Sequence, residues 1–259
     1  MSNDNKIGFL DSGIGGVTVL TKALDILPNE DYFFFSDSAN NPYGDKSDDE
    51  IINRCDDILN MLINFQHCKA IVIACNTASA KAAEYLRKKY SDTPIIAIEP
   101  AYKMVHDFSP DEFTLVLATK GTIESEKFHR LYAKYNNDNT VLLSCVGMAD
   151  LIEQNKKGEL MDYLEALLSP YKDKAGNVVL GCTHYPLVKK EIANVLGNVR
   201  FFDGAEGVAR QLKNVLSEKD LLNSKAEKGT VEFMDSSTSE KAQNLKKKRF
   251  FDFINAKNA

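Results

Sequence analysis

Two stretches of the chain share one pattern of apolar and polar positions. Ile71-Val72-Ile73-Ala74-Cys75-Asn76-Thr77-Ala78-Ser79 and Val178-Val179-Leu180-Gly181-Cys182-Thr183-His184-Tyr185-Pro186 each run from aliphatic residues through a small residue and a Cys into small polar residues. An aliphatic run of this length, rich in β-branched residues, reads as a buried strand. The residues after Cys75, from Thr77 to Tyr90, are rich in Ala, Glu, Lys and Leu, which favour helix. After Cys182, Pro186 stands where a first helical turn tolerates it and Gly197 where a helix would stop. Each Cys is therefore expected at the C-terminal end of a strand and the mouth of a helix. Ligands bind there in open α/β sheets, and a helix N-terminus favours thiolate over thiol.

The same alternation continues along the chain. Strands are expected at Lys6–Leu10, Asp31–Ser36, Pro94–Ile98, Phe113–Ala118, Thr140–Ser144, Val199–Phe202 and Thr230–Met234, besides the two that precede the cysteines. Helical patterns occupy Val17–Leu27, Asp48–Phe65, the stretch after Thr122 through Tyr132, a polar helix starting near Asp150 that includes Glu153, Ala205–Leu216 and Ser239–Ile254. Cys182 follows Cys75 at almost the interval at which Thr119 follows Asp11, so the two halves read as repeats. The expected fold is α/β, with two pseudo-symmetric parallel-sheet domains and the active site in the cleft between them. The first domain is placed at 1–98 and 207–259, with the Asp11 and Cys75 motifs. The second is placed at 99–206, with the Glu153 and Cys182 motifs.

Composition narrows the function. With 259 residues and 44% hydrophobic content, the chain can bury a core in each half. A net charge of −5 and a pI of about 5.5 imply no general attraction to nucleic acid or anionic membrane. No apolar run approaches the ~18 residues of a membrane span, and Met1-Ser2-Asn3-Asp4-Asn5 does not read as a signal peptide. The expected location is the cytoplasm. The five cysteines (Cys55, Cys68, Cys75, Cys145, Cys182) are odd in number and form no Cys-x-x-Cys, as suits free thiols and neither disulfides nor a zinc site. The Lys246-Lys247-Lys248-Arg249 run is read as a solvated helix face.

The loop Asp11-Ser12-Gly13-Ile14-Gly15-Gly16 follows the first strand. It lacks Gly-Lys-Ser/Thr, and Asp11 would repel a phosphate, so a cationic ligand group or a proton relay suits it better. A capping role for Asp11 or Ser12 is compatible with either. Neither Cys is followed by the Arg that a phosphatase-like site needs. Nucleophilic catalysis asks for one activated thiol. Two opposed thiols suit inversion of a carbon centre, one removing a proton from one face and the other delivering a proton to the opposite face. Cys55, Cys68 and Cys145 are read as core residues; His67, His106 and His129 as structural; and Asp37 as a loop or cap residue.

Asp11-Ser12-Gly13-x-Gly-Gly, Asn41-Pro42-Tyr43-Gly44, Cys75-Asn76-Thr77-Ala78-Ser79 and Gly181-Cys182-Thr183-His184-Tyr185-Pro186 together resemble the cofactor-independent glutamate racemases of the aspartate/glutamate racemase family. The resemblance covers nearly the whole chain. It implies an isomerase that uses neither PLP nor a metal, acts on glutamate, and supplies D-glutamate for bacterial peptidoglycan, hence for cell wall biogenesis and cell shape. It further implies Cys75 and Cys182 as the acid/base pair, with Asp11, His184 and Glu153 assisting proton transfer. Asp11, Ser12, Tyr43, Gly44, Asn76, Thr77, Thr183 and His184 are implied as substrate contacts, and a homodimer as the assembly. Two positions depart from the family pattern: Ser144-Cys145-Val146 stands where Ala-Cys-Pro is frequent, and Gly204 where Ser is frequent. The alternatives are an aspartate racemase or another member of the superfamily and, in a different class, a non-enzymatic amino-acid-binding protein. His184 favours glutamate, because aspartate-specific relatives tend to carry an acidic residue after the second Cys-Thr.

Overall fold

The structure, a computed structural model, describes residues 3–135 and 138–257. Met1 and Ser2, part of the N-terminal stretch read above, lie outside them. In the first half, β1 (Ile7–Asp11), α1 (Val17–Ile26), β2 (Tyr32–Ser36), α2 (Asp48–Asn60), β3 (Ala70–Ile73), α3 (Asn76–Lys89), β4 (Ile95–Ala97) and α4 (Tyr102–Phe108) follow in order. The second half carries β5 (Thr114–Ala118), α5 (Lys120–Ile123), α6 (Glu126–Tyr135), β6 (Thr140–Ser144), α7 (Met148–Glu153), α8 (Lys157–Leu168), β7 (Asn177–Gly181), α9 (Lys189–Leu196) and β8 (Arg200–Phe202). The chain then returns through α10 (Ala205–Glu218), β9 (Val231–Asp235) and α11 (Glu240–Lys257).

Two sheets result, with strand orders β4-β3-β1-β2-β9 and β6-β5-β7-β8. Every pairing is parallel. In sequence terms these are the two parallel-sheet α/β units expected of the alternating pattern. Because successive strand residues face opposite ways, Phe9, Phe34 and Val72 pack with Leu20 of α1, Leu212 of α10 and Phe250 of α11. Leu10, Phe35, Ile71 and Ile73 face the other way, onto Ile58 and Leu59 of α2 and Ala82 of α3. The second sheet repeats this arrangement. Leu115, Leu117, Val178 and Leu180 meet α7, α8 and α9, whereas Val116 and Val179 meet Tyr102 of α4 and Phe128 of α6. Each fully buried Leu or Phe contributes about 1.5–3 kcal/mol. These faces hold the fold, and the strand ends are left free to carry buried polar groups.

Local signals explain some element limits. Ser47 caps α2 and exchanges hydrogen bonds with Glu50 in a capping box, with Asp48, Asp49 and Glu50 in the first turn. Gly197 ends α9 at φ 90°, in the left-handed region where a side chain is strained. The expected helix over Asp48–Phe65 changes to a π turn at Met61–Phe65. A correction concerns Cys182. It is followed by a 3-10 turn at Tyr185–Val188, and the α-helix begins only at Lys189. Pro186 lies inside that turn, so Cys182 is at a strand end but not at the mouth of an α-helix. Cys75 is the N-cap of α3, as expected.

Candidate active site

Parallel pairing puts the C-terminal ends of neighbouring strands side by side. In the first sheet β1 lies beside β3, which brings Asp11 and Cys75 together. In the second, β5 lies beside β7, which brings Thr119 and Cys182 together. The two sets of strand ends meet directly: Thr183 donates its hydroxyl to both oxygens of Asp11, at 3.2 and 3.1 Å. Thr18 of α1 donates to the Thr183 carbonyl at 3.3 Å. Asp11, Cys75, Thr183, Cys182, His184 and Glu153 are all buried, the two thiols at 5% and 7% exposure.

The surroundings of the thiols differ. The Cys75 thiol donates to the Ser12 hydroxyl at 3.5 Å. Burial pushes it up to about 12, reinforced by the nearby Asp11 carboxylate and opposed by the Ala78 N–H and Ser12. Burial thus outweighs the helix N-terminus, contrary to the expectation of a favoured thiolate. Acting as a thiolate, Cys75 would need a proton acceptor beside it. The nearby Asp11 carboxyl is raised by burial to about 7 even against the His184 charge and the Thr183 hydrogen bond.

Cys182 has an imidazole partner. Its Sγ lies 3.8 Å from His184 Nδ1, and His184 Nε2 lies 2.7 Å from Glu153 Oε2. Burial alone would pull the imidazole down, but the Cys182 sulfur and the Glu153 carboxylate outweigh it and hold His184 well above its ordinary value. Burial likewise works against the charged form of Glu153. The His184 contact, the Lys246 charge and the Ile14 N–H prevail and lower the carboxyl to about 2. Ile14 donates to Glu153 Oε2 at 3.2 Å. The glycines of the first loop permit this closeness: a Cβ on Gly15 would sit 2.5 Å from His184 Nδ1, and one on Gly13 would sit 2.7 Å from Glu153 Oε2.

The remaining expected residues divide by what their polar groups touch. Asn76 is buried with an Oδ1 that has no hydrogen-bond partner among the described residues. Thr77 forms a hydroxyl cluster with Thr119 at 2.9 Å and Thr122 at 3.4 Å. Tyr43 is buried, but its hydroxyl donates to Asp37 at 2.6 Å, and Asp37 also takes both arms of Arg54 at 2.8 and 2.7 Å. Asp37 is thus the structural loop residue expected, and the Tyr43 hydroxyl is committed to it. The adjoining Gly44 backbone faces the second sheet: a Cβ there would be 3.2 Å from Thr119 Cβ.

Thr119 and Thr122 received no site role from the sequence. The available signal was their place in the repeat, since Thr119 stands in the second half where Asp11 stands in the first. Lys246 and Arg249 are a second omission. The basic run is not uniformly solvated: Lys247 and Lys248 are exposed, but Lys246 pairs with Glu153 and Arg249 donates to the carbonyls of Ile152 and Glu153. Both departures from the family pattern have a structural reading. Ser144-Cys145-Val146 still delivers α7, and with it Glu153, to His184. Gly204 is closed in, because a Cβ there would lie 2.5 Å from the Glu99 carbonyl oxygen and 3.0 Å from Ile98 Cγ1. Cys55, Cys68 and Cys145 are buried free thiols packed in the cores; Cys55 lies near Cys75 and Cys145 near Cys182, and burial pushes all three up.

Comparison with known proteins bears on the family and the fold. A family model for Asp/Glu/hydantoin racemases matches residues 18–212. The glutamate racemase of Clostridium acetobutylicum is 41% identical over 246 residues, covering 93% of this chain and 96% of the relative. The crystal structure of glutamate racemase from Francisella tularensis in complex with D-glutamate matches with a TM-score of 0.81 at 30% identity, covering 96% of this chain and 94% of that one. The Escherichia coli glutamate racemase in complex with L-glutamate and the activator UDP-MurNAc-Ala also gives 0.81, at 28% identity and 95% coverage of both chains. The resemblance carried by the four motifs is therefore borne out over the whole fold, and the chain belongs to the Asp/Glu/hydantoin racemase family.

Proposed function

We propose that this chain interconverts L- and D-glutamate by removing the α-proton with one thiol and returning a proton with the other. The observation that carries the reading is the matched placement of Cys75 and Cys182, each just past the end of a parallel strand inside its sheet, Cys75 near the Asp11 carboxyl and Cys182 beside the His184 imidazole. Asp11 serves Cys75, and the His184–Glu153 pair serves Cys182. Each partner takes the proton from its thiol before abstraction and restores it before donation, so each thiol can act in both directions. Asn76, the Thr77 and Thr183 hydroxyls, Ser12 and the Tyr43-Gly44 backbone fit the substrate's polar groups, with Thr119 and Thr122 added from the hydroxyl cluster. Asp11 is also placed to receive an ammonium.

The wider reading follows the family. D-Glutamate made here would supply peptidoglycan synthesis and so cell shape. A cytoplasmic location is supported by the free thiols and by the lack, among the described residues, of a helix long and apolar enough to cross a membrane. The homodimer rests on the resemblance alone. Domain limits at 1–98 with 207–259 and at 99–206 are supported by the sheets, since β9 joins the first sheet and β5 to β8 form the second.

Circular dichroism of L-glutamate and L-aspartate, each incubated with the protein and no added cofactor, tests the reading. Glutamate should lose its signal far faster than aspartate. The rate should survive EDTA and hydroxylamine and be lost on thiol alkylation. Inhibition by hydroxylamine that PLP reverses would contradict a thiol-only proton transfer, and faster turnover of aspartate would favour the aspartate-specific alternative.

A further inference from the structure

The C-terminal helix reaches the Cys182 side of the site from far along the chain. Lys246 Nζ lies 3.1 Å from Glu153 Oε1, with the lysine side chain 18% exposed and the glutamate 7%. Oε1 makes no hydrogen bond among the described residues, so the ammonium is the charge that compensates it. One turn further on, Arg249 donates to the backbone carbonyls of Glu153 and, at 3.2 Å, Ile152. These are terminal carbonyls of α7, which a guanidinium satisfies well. Phe250 anchors the helix on the first sheet, its ring tilted against Phe34 and Phe233 at centroid distances of 4.7 and 4.6 Å.

We propose that Lys246 and Arg249 are positioning residues for the Cys182 half of the reaction, holding the Glu153 carboxylate and the end of its helix in the pose that aims His184 at Cys182. This rests on the two-thiol reading above. The physical reason is the buried oxygen. Without Lys246, Glu153 Oε1 would be left buried and uncompensated, a costly state. The carboxylate would relieve it by taking a proton or turning away. Either response loosens its hold on His184 Nε2, which fixes the ring beside Cys182 Sγ. Cys75 has its own partners, Ser12 and Asp11, and Asp11 feels Glu153 only as the weaker of two nearby charges, after His184. The effect should therefore fall mainly on Cys182.

The test uses the full-length protein and the deuterium isotope effect on kcat/KM for α-deuterated L- and D-glutamate. In Lys246→Met, kcat/KM should fall about tenfold, the scale of one lost charged hydrogen bond or ion pair. The two isotope effects should move apart. The effect rises for the enantiomer that Cys182 deprotonates, because that step becomes slower. It falls toward one for the other enantiomer, whose slow step becomes protonation by Cys182. Lys246→Arg should restore both values, and Lys247→Met, on the exposed side of the same helix, should leave both unchanged. Should Lys246→Met not fold, Lys246→Gln is read in the same way. A merely structural tether would slow both proton transfers alike; isotope effects that stay together, or an unchanged rate, would overturn the proposal. Racemisation that persists in Cys182→Ser would instead remove the two-thiol reading itself.

Discussion

Either Cys75→Ser or Cys182→Ser should lower racemisation by on the order of 10³-fold or more, the usual span of a lost acid/base group. Inversion needs a group on each face of the α-carbon, so the loss of either thiol stops both directions. A serine hydroxyl titrates far above a thiol, whose ordinary value is about 8.5, and each further unit is about 1.4 kcal/mol, or tenfold in rate. The replacements are nearly isosteric. A hydroxyl at position 75 can keep the contact with Ser12, so the folded structure should persist and thermal unfolding should confirm it. Cys55→Ser, Cys68→Ser and Cys145→Ser should retain nearly all activity. At Cys145 the contact from Sγ to the Leu143 carbonyl, at 3.4 Å, is one a hydroxyl can also make. Retained racemisation in Cys75→Ser or Cys182→Ser would take that residue out of the mechanism.

His184→Asn should cost on the order of 10² in turnover, unequally in the two directions. His184 connects Glu153 to Cys182 by direct contacts, whereas it reaches the Cys75 side only through its charge on Asp11. The variant therefore impairs Cys182 more than Cys75. Because the enantiomers are equal in free energy, kcat/KM must fall equally for both. The asymmetry must appear in kcat, with KM falling most in the direction whose kcat falls most. Steady-state kinetics from each enantiomer at saturation measures it. Equal kcat losses would show that His184 binds substrate or packs, without serving Cys182.

The parts of the site that were legible in the sequence are those fixed by short-range chemistry. Strand ends, the glycine loop and the cysteine surroundings are local patterns, and the spacing of Thr119 and Cys182 relative to Asp11 and Cys75 exposed the repeat. What escaped depends on distant contacts. Lys246 and Arg249 belong to a basic run whose default is a wet helix face, and only the packing of Phe250 on the first sheet turns them toward Glu153. The Tyr43 hydroxyl is taken by Asp37, a partner that Arg54 holds in place. The helices Tyr102–Phe108 and Lys157–Leu168 were not anticipated: the first is a short segment between β4 and β5 where no helix was expected, and the second follows α7 between β6 and β7 where only one was expected. The expected thiolate at Cys75 failed for a quantitative reason: a helix end offers less than full burial removes.

The central claim is that two thiols work on opposite faces of one carbon, and the direct measurement is deuterium incorporation in D₂O during the first few per cent of reaction. The abstracting thiol gives its proton up to its partner and the solvent, and the opposite thiol delivers a solvent-derived deuteron. Starting from either L- or D-glutamate, mass spectrometry of the separated enantiomers should find deuterium at the α-carbon of the product while the remaining substrate stays protiated. Equal early deuteration of substrate and product would mean that one base serves both faces, and would contradict the account.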